Sequence, residues 1–142
     1  MRFPILASAI AISGLLAGSA MAASVRVAPI HLDVASGVTT TTLRVWNTEK
    51  TPVRVQVRVF LWTHTAKGDT LTPTTDIVAS PPINTLKPGA ENLIRLVRTS
   101  TTPVGTRESY RVMVDQLPDP ASSKPGTVAI LVRHAIPLYF EH

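Results

Sequence analysis

The sequence predicts an all-β protein, a two-layer sandwich of about seven short strands. Apolar residues recur at every second position nearly throughout, which is the period of a half-buried strand rather than of a helix. Turn residues, Pro and Gly above all, separate these runs at short intervals. No stretch after residue 22 carries a helical pattern. Short strands over roughly 100 residues, with turn signals between them, are the pattern of an immunoglobulin-like β-sandwich.

The elements follow in order. Val25–Val27 opens the first strand, and Pro29 interrupts it, so this strand belongs at an edge or carries a bulge. Ile30, Leu32 and Val34 resume the alternation before a turn at Ser36–Gly37. Thr39–Trp46 is rich in β-branched residues, and Asn47–Thr48–Glu49–Lys50 turns again. The cleanest strand comes next. Val53, Val55, Val57, Val59 and Leu61 line one face, and Arg54, Gln56, Arg58, Phe60 and Trp62 line the other. Lys67–Gly68–Asp69 reads as a turn, and Thr70 to Pro88 as an extended, proline-rich stretch. Pro81–Pro82 has no N–H to give to a central ladder. Leu86–Lys87–Pro88–Gly89 is a turn, and Leu93–Val97 a short strand. A further strand, Glu108–Leu117, sets Tyr110, Val112 and Val114 against Arg111, Met113 and Asp115.

The last strand is expected from about Thr127 to Phe140. Val128, Ile130 and Val132 share one face, while Ala129 and Leu131 share the other until Arg133. Both faces are therefore apolar, and a single sandwich covers only one. The surplus face needs another layer or another protein, since an exposed apolar strand invites aggregation.

Residues 1–22 have the layout of a secretory signal peptide: Arg2, an apolar run from Ile5 to Leu16, and the small-x-small site Ala20–Met21–Ala22. Cleavage after Ala22 would leave residues 23–142 as one domain, large enough to bury a core. There is no Cys, which is compatible with a bacterial periplasm and argues against a disulfide-built mini-domain. Without Arg2, 13 basic and 9 acidic residues remain, a formal charge of +4. The basic residues are dispersed among the strands, which is not a nucleic-acid footprint.

Catalytic motifs are missing. None of His31, His64, His134 and His142 has a local metal-ligand spacing, and a type-one copper site would lack its thiolate. There is no Gly-x-Ser-x-Gly elbow and no phosphate-cradling loop. No cofactor and no small-molecule substrate is implied.

Several blocks, in order, resemble the amino-terminal domain of periplasmic pilus chaperones of the chaperone–usher system. These are Leu43–Arg44–Val45–Trp46–Asn47, Ser80–Pro81–Pro82, Leu86–Lys87–Pro88–Gly89 and Leu93–Ile94–Arg95–Leu96–Val97. Glu108–Ser109–Tyr110–Arg111–Val112, with Leu117–Pro118, and Ile136–Pro137–Leu138–Tyr139–Phe140 complete the set. Pro137 and the Tyr110–Arg111–Val112 block lean towards the archaic branch. The resemblance implies a protein that binds pilin subunits lacking a final strand, lends its own last strand to fill the gap, and works with an outer-membrane usher. Val128, Ile130 and Val132 are then the donated residues. The alternative is that these three side chains pack inside this domain.

The resemblance also implies basic residues that anchor the subunit's terminal carboxylate. His31 stands where the family has its first anchor, and Pro137 stands at the second. Antiparallel pairing of the last two strands would bring Arg111 near Arg133 and His134. Arg111, helped by Arg133 and His31, is the expected replacement, because guanidinium binds carboxylate through two parallel bonds. Arg95 and Glu108 are implied as the family's internal ion pair. Trp46, Phe60 and Trp62 are either core or a surface patch for the usher. The family's second sandwich domain would begin near Glu141–His142 and is expected to be absent from this chain. Two other classes stay open: a pilin or adhesin-like sandwich that receives a strand, and a small periplasmic metal binder or enzyme using His31 and His134.

Overall fold

The computed structural model describes residues 24–122, 124–126 and 128–142. The expected signal peptide, its cleavage after Ala22, and the expected strand start at Thr127 lie outside the described residues. Among the described residues, ten strands form in two sheets: β1 (Val25–Ala28), β2 (Leu32–Val34), β3 (Thr40–Asn47), β4 (Val53–Thr65), β5 (Gly68–Pro73), β6 (Ile77–Ser80), β7 (Ile83–Leu86), β8 (Glu91–Arg98), β9 (Glu108–Leu117) and β10 (Arg133–Phe140). One 3-10 turn, Pro120–Ser122, follows β9.

The smaller sheet has the order β1-β3-β8-β6, and the larger has β2-β10-β9-β4-β5 with β7 also on β4. All pairs are antiparallel except β10 with β2, which is parallel. The count exceeds seven because prolines and turns divide what the alternation reads as single runs. Pro29 separates β1 from β2, so one run serves both sheets. Pro81–Pro82 separates β6 in the smaller sheet from β7 in the larger. β5 covers the end of the expected Lys67–Gly68–Asp69 turn and the start of the extended stretch from Thr70; all six of its residues are exposed, so no apolar period marks it.

Alternation places the core as expected. Leu43, Val45, Ile94 and Leu96 of the smaller sheet face Val55, Val57, Val112, Val114, Ile136 and Leu138 of the larger, and all are buried. Each such side chain contributes about 1.5–3 kcal/mol on removal from water. Tyr110 and Phe140 meet edge to face at 6.1 Å. At the turn before β8, the Ala90 N–H donates to the Lys87 carbonyl at 2.9 Å, with Pro88 and Gly89 at the centre. Gly89 takes φ +69°, the left-handed value that this turn type demands and that a side chain resists.

Asn47 is the main polar group in this interior, 1% exposed. Its Nδ2 donates to the carbonyls of Thr51 (2.8 Å), Leu86 (3.0 Å) and Lys87 (3.2 Å). Its Oδ1 accepts from the Glu49 N–H at 2.8 Å. One amide thus ties the β3–β4 turn to the loop after β7. Asn47→Leu strands those partners without water, at about 1–3 kcal/mol for each group left unpaired. Urea unfolding should read a loss of about 3 kcal/mol with an unchanged slope.

Candidate functional site

The last strand is shorter than its sequence pattern. Regular pairing in β10 begins at Arg133, and Val128–Val132 lie in no strand. Val128 is 90% exposed and Ile130 is 83% exposed. Leu131 is also exposed, and Val132 is half-buried. The parity explains this. Val128, Ile130 and Val132 share the inward sense of Ile136, Leu138 and Phe140. The facing sheet, however, begins at Val25, whose carbonyl accepts from His134 Nε2 at 2.8 Å. Beyond that level no strand lies opposite among the described residues. Five extended residues reach about 16 Å, so the apolar pattern continues past the end of the sandwich that would bury it.

At the other end of β10, three rings and two guanidinium groups gather on the outer face of the larger sheet. Arg111 points outward because Tyr110 and Val112 point in. Its guanidinium lies 3.8 Å over the Trp62 ring. Trp62 meets Tyr139 at 6.2 Å, and Tyr139 meets His31 at 5.4 Å. The Arg107 guanidinium lies 3.8 Å over the Tyr139 ring. It also pairs with Asp33 (3.1 Å) and Glu141 (2.9 Å). His31 Nε2 sits 2.7 Å from Asp33 Oδ2.

Two of the three anchor candidates therefore come together, and the third does not. Arg111 stands opposite Pro137, whereas Arg133 stands opposite Asp115. Four residue pairs separate them, about 13 Å at the strand rise. The expected proximity of Arg111 to Arg133 fails because the register is set by the core residues of β9 and β10, not by the loop midpoint. Arg133 is bound to Asp115, which also takes Arg58 at 2.6 Å. Of the three candidates, only Arg111 has no carboxylate within ion-pair distance among the described residues. Arg107 escaped the sequence reading because its partners lie far away in the chain.

Residues 24–141 match the family described as pili and flagellar-assembly chaperones, PapD N-terminal domain. The chain belongs to this family. A search of curated protein sequences returned no match. Among solved structures, the domain is similar to a chain of the CsuC–CsuE chaperone–tip adhesion subunit pre-assembly complex from the archaic chaperone–usher Csu pili of Acinetobacter baumannii, with 32% identity and a TM-score of 0.71. That match covers 84% of this chain and 57% of the other. The E. coli chaperone DraB shares the fold at 24% identity and a TM-score of 0.63, over 83% of this chain and 55% of that one. A complex of Salmonella enterica SafA pilin with the SafB chaperone matches at 22% identity and 0.66, over 84% and 55%. The chain thus spans little more than half the length of these matches. The all-β, immunoglobulin-like architecture read from the alternation is the fold of this chaperone domain.

The expected ion pair needs correction. Glu108 receives Arg98 Nε at 2.9 Å and Nη2 at 2.8 Å, and not Arg95. Parity decides between them. Arg98 continues the buried series Ile94, Leu96, Arg98, whereas Arg95 points outward, opposite Thr42 and Ser80. Arg98 Nη1 also donates to the carbonyls of Ser100 (2.9 Å) and Thr102 (2.8 Å), so each nitrogen of the buried guanidinium is hydrogen-bonded. The Tyr110 hydroxyl donates to Glu108 at 3.0 Å. Trp46 is also reassigned. It lies on the outer face of the smaller sheet and donates to Glu91 at 2.6 Å, so it forms no patch with Phe60 and Trp62 on the larger one.

Arg98 holds the Glu108 carboxyl below its ordinary range, burial opposes this, and the Tyr110 hydrogen bond assists. Burial first, and then Glu108, push the Tyr110 phenol well above its ordinary value. A carboxylate whose pKa is depressed on folding stabilises the fold above its unfolded value and loses that contribution as pH falls through the folded one. The thermal midpoint should therefore drop from pH 5 towards pH 3. Glu108→Gln should lower the midpoint at pH 7, costing about 3–5 kcal/mol by leaving Arg98 without its charge partner, and flatten the acid slope. An unchanged slope would assign the acid sensitivity elsewhere.

Proposed function

We propose that this domain is the subunit-holding part of a periplasmic pilus-assembly chaperone, which lends the segment Val128–Val132 to a pilin that lacks a strand. The carrying observation is the exposure of Val128 and Ile130, 90% and 83%, on a segment with the parity of a core strand. An unpaired extended segment of this kind can add to a partner's sheet edge through main-chain bonds and insert alternate side chains into its core. Three such side chains supply roughly 5–9 kcal/mol gross, and ordering and docking costs reduce it. Support also comes from the similarity to a chain of the CsuC–CsuE complex, in which a chaperone accompanies a tip adhesion subunit.

Arg111 is the anchor for the subunit's terminal carboxylate in this reading. Its guanidinium is held 3.8 Å over the Trp62 ring and has no carboxylate within ion-pair distance among the described residues, so it suits a bidentate bond to an incoming carboxylate. His31 and Arg107 add positive charge nearby, although both already face Asp33. Arg133 has a different task, holding the root of the lent segment through Asp115. The signal peptide directs the chain to the periplasm, and an outer-membrane usher receives the loaded subunit. The chemistry is binding without catalysis.

Ile130→Asp co-expressed with candidate pilins should lower the yield of complex at least about tenfold, since a charge replaces a side chain whose burial stabilises by about 1.5–3 kcal/mol. Undiminished yield would count against lending through this face. Arg111→Ala should weaken capture about tenfold, the worth of one charge-assisted hydrogen bond, and leave the thermal midpoint within about 2 °C. Equal capture by the Ala variant would remove Arg111 from the anchor.

A further inference from the structure

The β9–β10 hairpin stops pairing at a definite place, although the sequence beyond it is good strand material. The Gln116 N–H donates to the Val132 carbonyl at 2.9 Å. In an antiparallel ladder, residues that exchange bonds alternate with residues that do not. Gln116 and Val132 are thus a bonding pair, and the Val132 N–H should return to the Gln116 main-chain carbonyl. It goes instead to the Gln116 side-chain Oε1 at 3.3 Å. The same oxygen accepts from the Ser24 hydroxyl, at the start of the facing sheet.

Continuing the observed register, in which Asp115 faces Arg133, the next two bonding pairs would be Pro118 with Ile130 and Pro120 with Val128. Both β9-side residues are proline, with no N–H to give. The intervening positions, Leu117 and Asp119, are those that do not bond across the pair. Every main-chain donor that the β9 side would supply beyond Gln116 is therefore missing, and each further pair could make only one of its two bonds. β9 ends at Leu117, and Pro120 starts a 3-10 turn instead.

We propose that Gln116, Pro118 and Pro120 form a stop that keeps Val128–Leu131 unpaired in the free protein. Gln116 closes the ladder by taking the last N–H with its side chain, and the two prolines deny bonds to the carbonyls of Ile130 and Val128. Only the purpose of the stop, keeping the segment ready for a subunit, rests on the lending reading above.

The test restores the missing groups. Pro118→Val/Pro120→Val supplies strand-forming residues with N–H donors at two exposed positions, and adding Gln116→Val removes the side-chain acceptor that takes the Val132 N–H. Hydrogen exchange of the free protein should slow at least about tenfold at the amides of Val128 and Ile130 as the hairpin extends, and the thermal midpoint should hold or rise. Pro118→Val alone, the mildest change, should protect Ile130 but not Val128. Exchange at both amides unchanged in the triple variant, with the fold intact, would overturn the stop. Capture of a pilin by the double variant distinguishes the two readings. Slowed exchange with about tenfold slower capture supports the stop in its stated purpose. Slowed exchange with unaltered capture, in a protein whose Ile130→Asp variant fails to capture, overturns that purpose. Unaltered capture by Ile130→Asp as well sinks the lending reading and leaves the stop supported by exchange alone.

Discussion

An apolar face on a strand is stable only where a second layer covers it, and in this protein the two layers differ in length. The smaller sheet reaches the level of Val25. The chain leading into the last strand of the larger sheet carries the strand's inward pattern three alternate positions further, through Val132, Ile130 and Val128. The mismatch needs no moving part. It arises because the strand is written for a longer core than the one its own domain builds.

Polar groups inside the sandwich are handled in the opposite way, with every bond closed locally. Asn47 satisfies three carbonyls and one N–H within a single corner. Arg98 and Glu108 neutralise each other and engage two carbonyls and the Tyr110 hydroxyl. Buried groups of this kind cost dearly when half-satisfied, so each anchors one arrangement of its neighbours. The outer face of the larger sheet follows a third pattern. There the guanidinium groups of Arg107 and Arg111 each sit 3.8 Å over an aromatic ring, which covers apolar area, and Arg107 also pairs with Asp33 and Glu141.

Much of this was legible in the sequence because period two is a direct readout of which side chains face inward. It placed the core of β3, β4, β8 and β9, and it marked the apolar surplus of the last strand. The failures share a physical cause. β5 has no buried residue, so no alternation reveals it. The start of β10 was set five residues or more too early, because apolar alternation reports what a strand is able to bury and not whether a facing layer exists. The partner of Glu108 was assigned to Arg95 from family resemblance, although the inward series Ile94, Leu96, Arg98 was the better guide. The gathering of His31, Trp62, Arg107, Arg111 and Tyr139 was only partly visible. Strand parity gives the face, but the register that brings residues from four parts of the chain together is set by packing.

The parallel pairing of β2 with β10 has a kinetic meaning. Leu32–Val34 cannot find Leu138–Phe140 until nearly all of the intervening chain exists. Closing so long a loop is slow compared with local pairing, and the larger sheet has no β2 edge before that moment. The closing of this sheet edge therefore waits for β10, and the sandwich is complete only once that strand has been made.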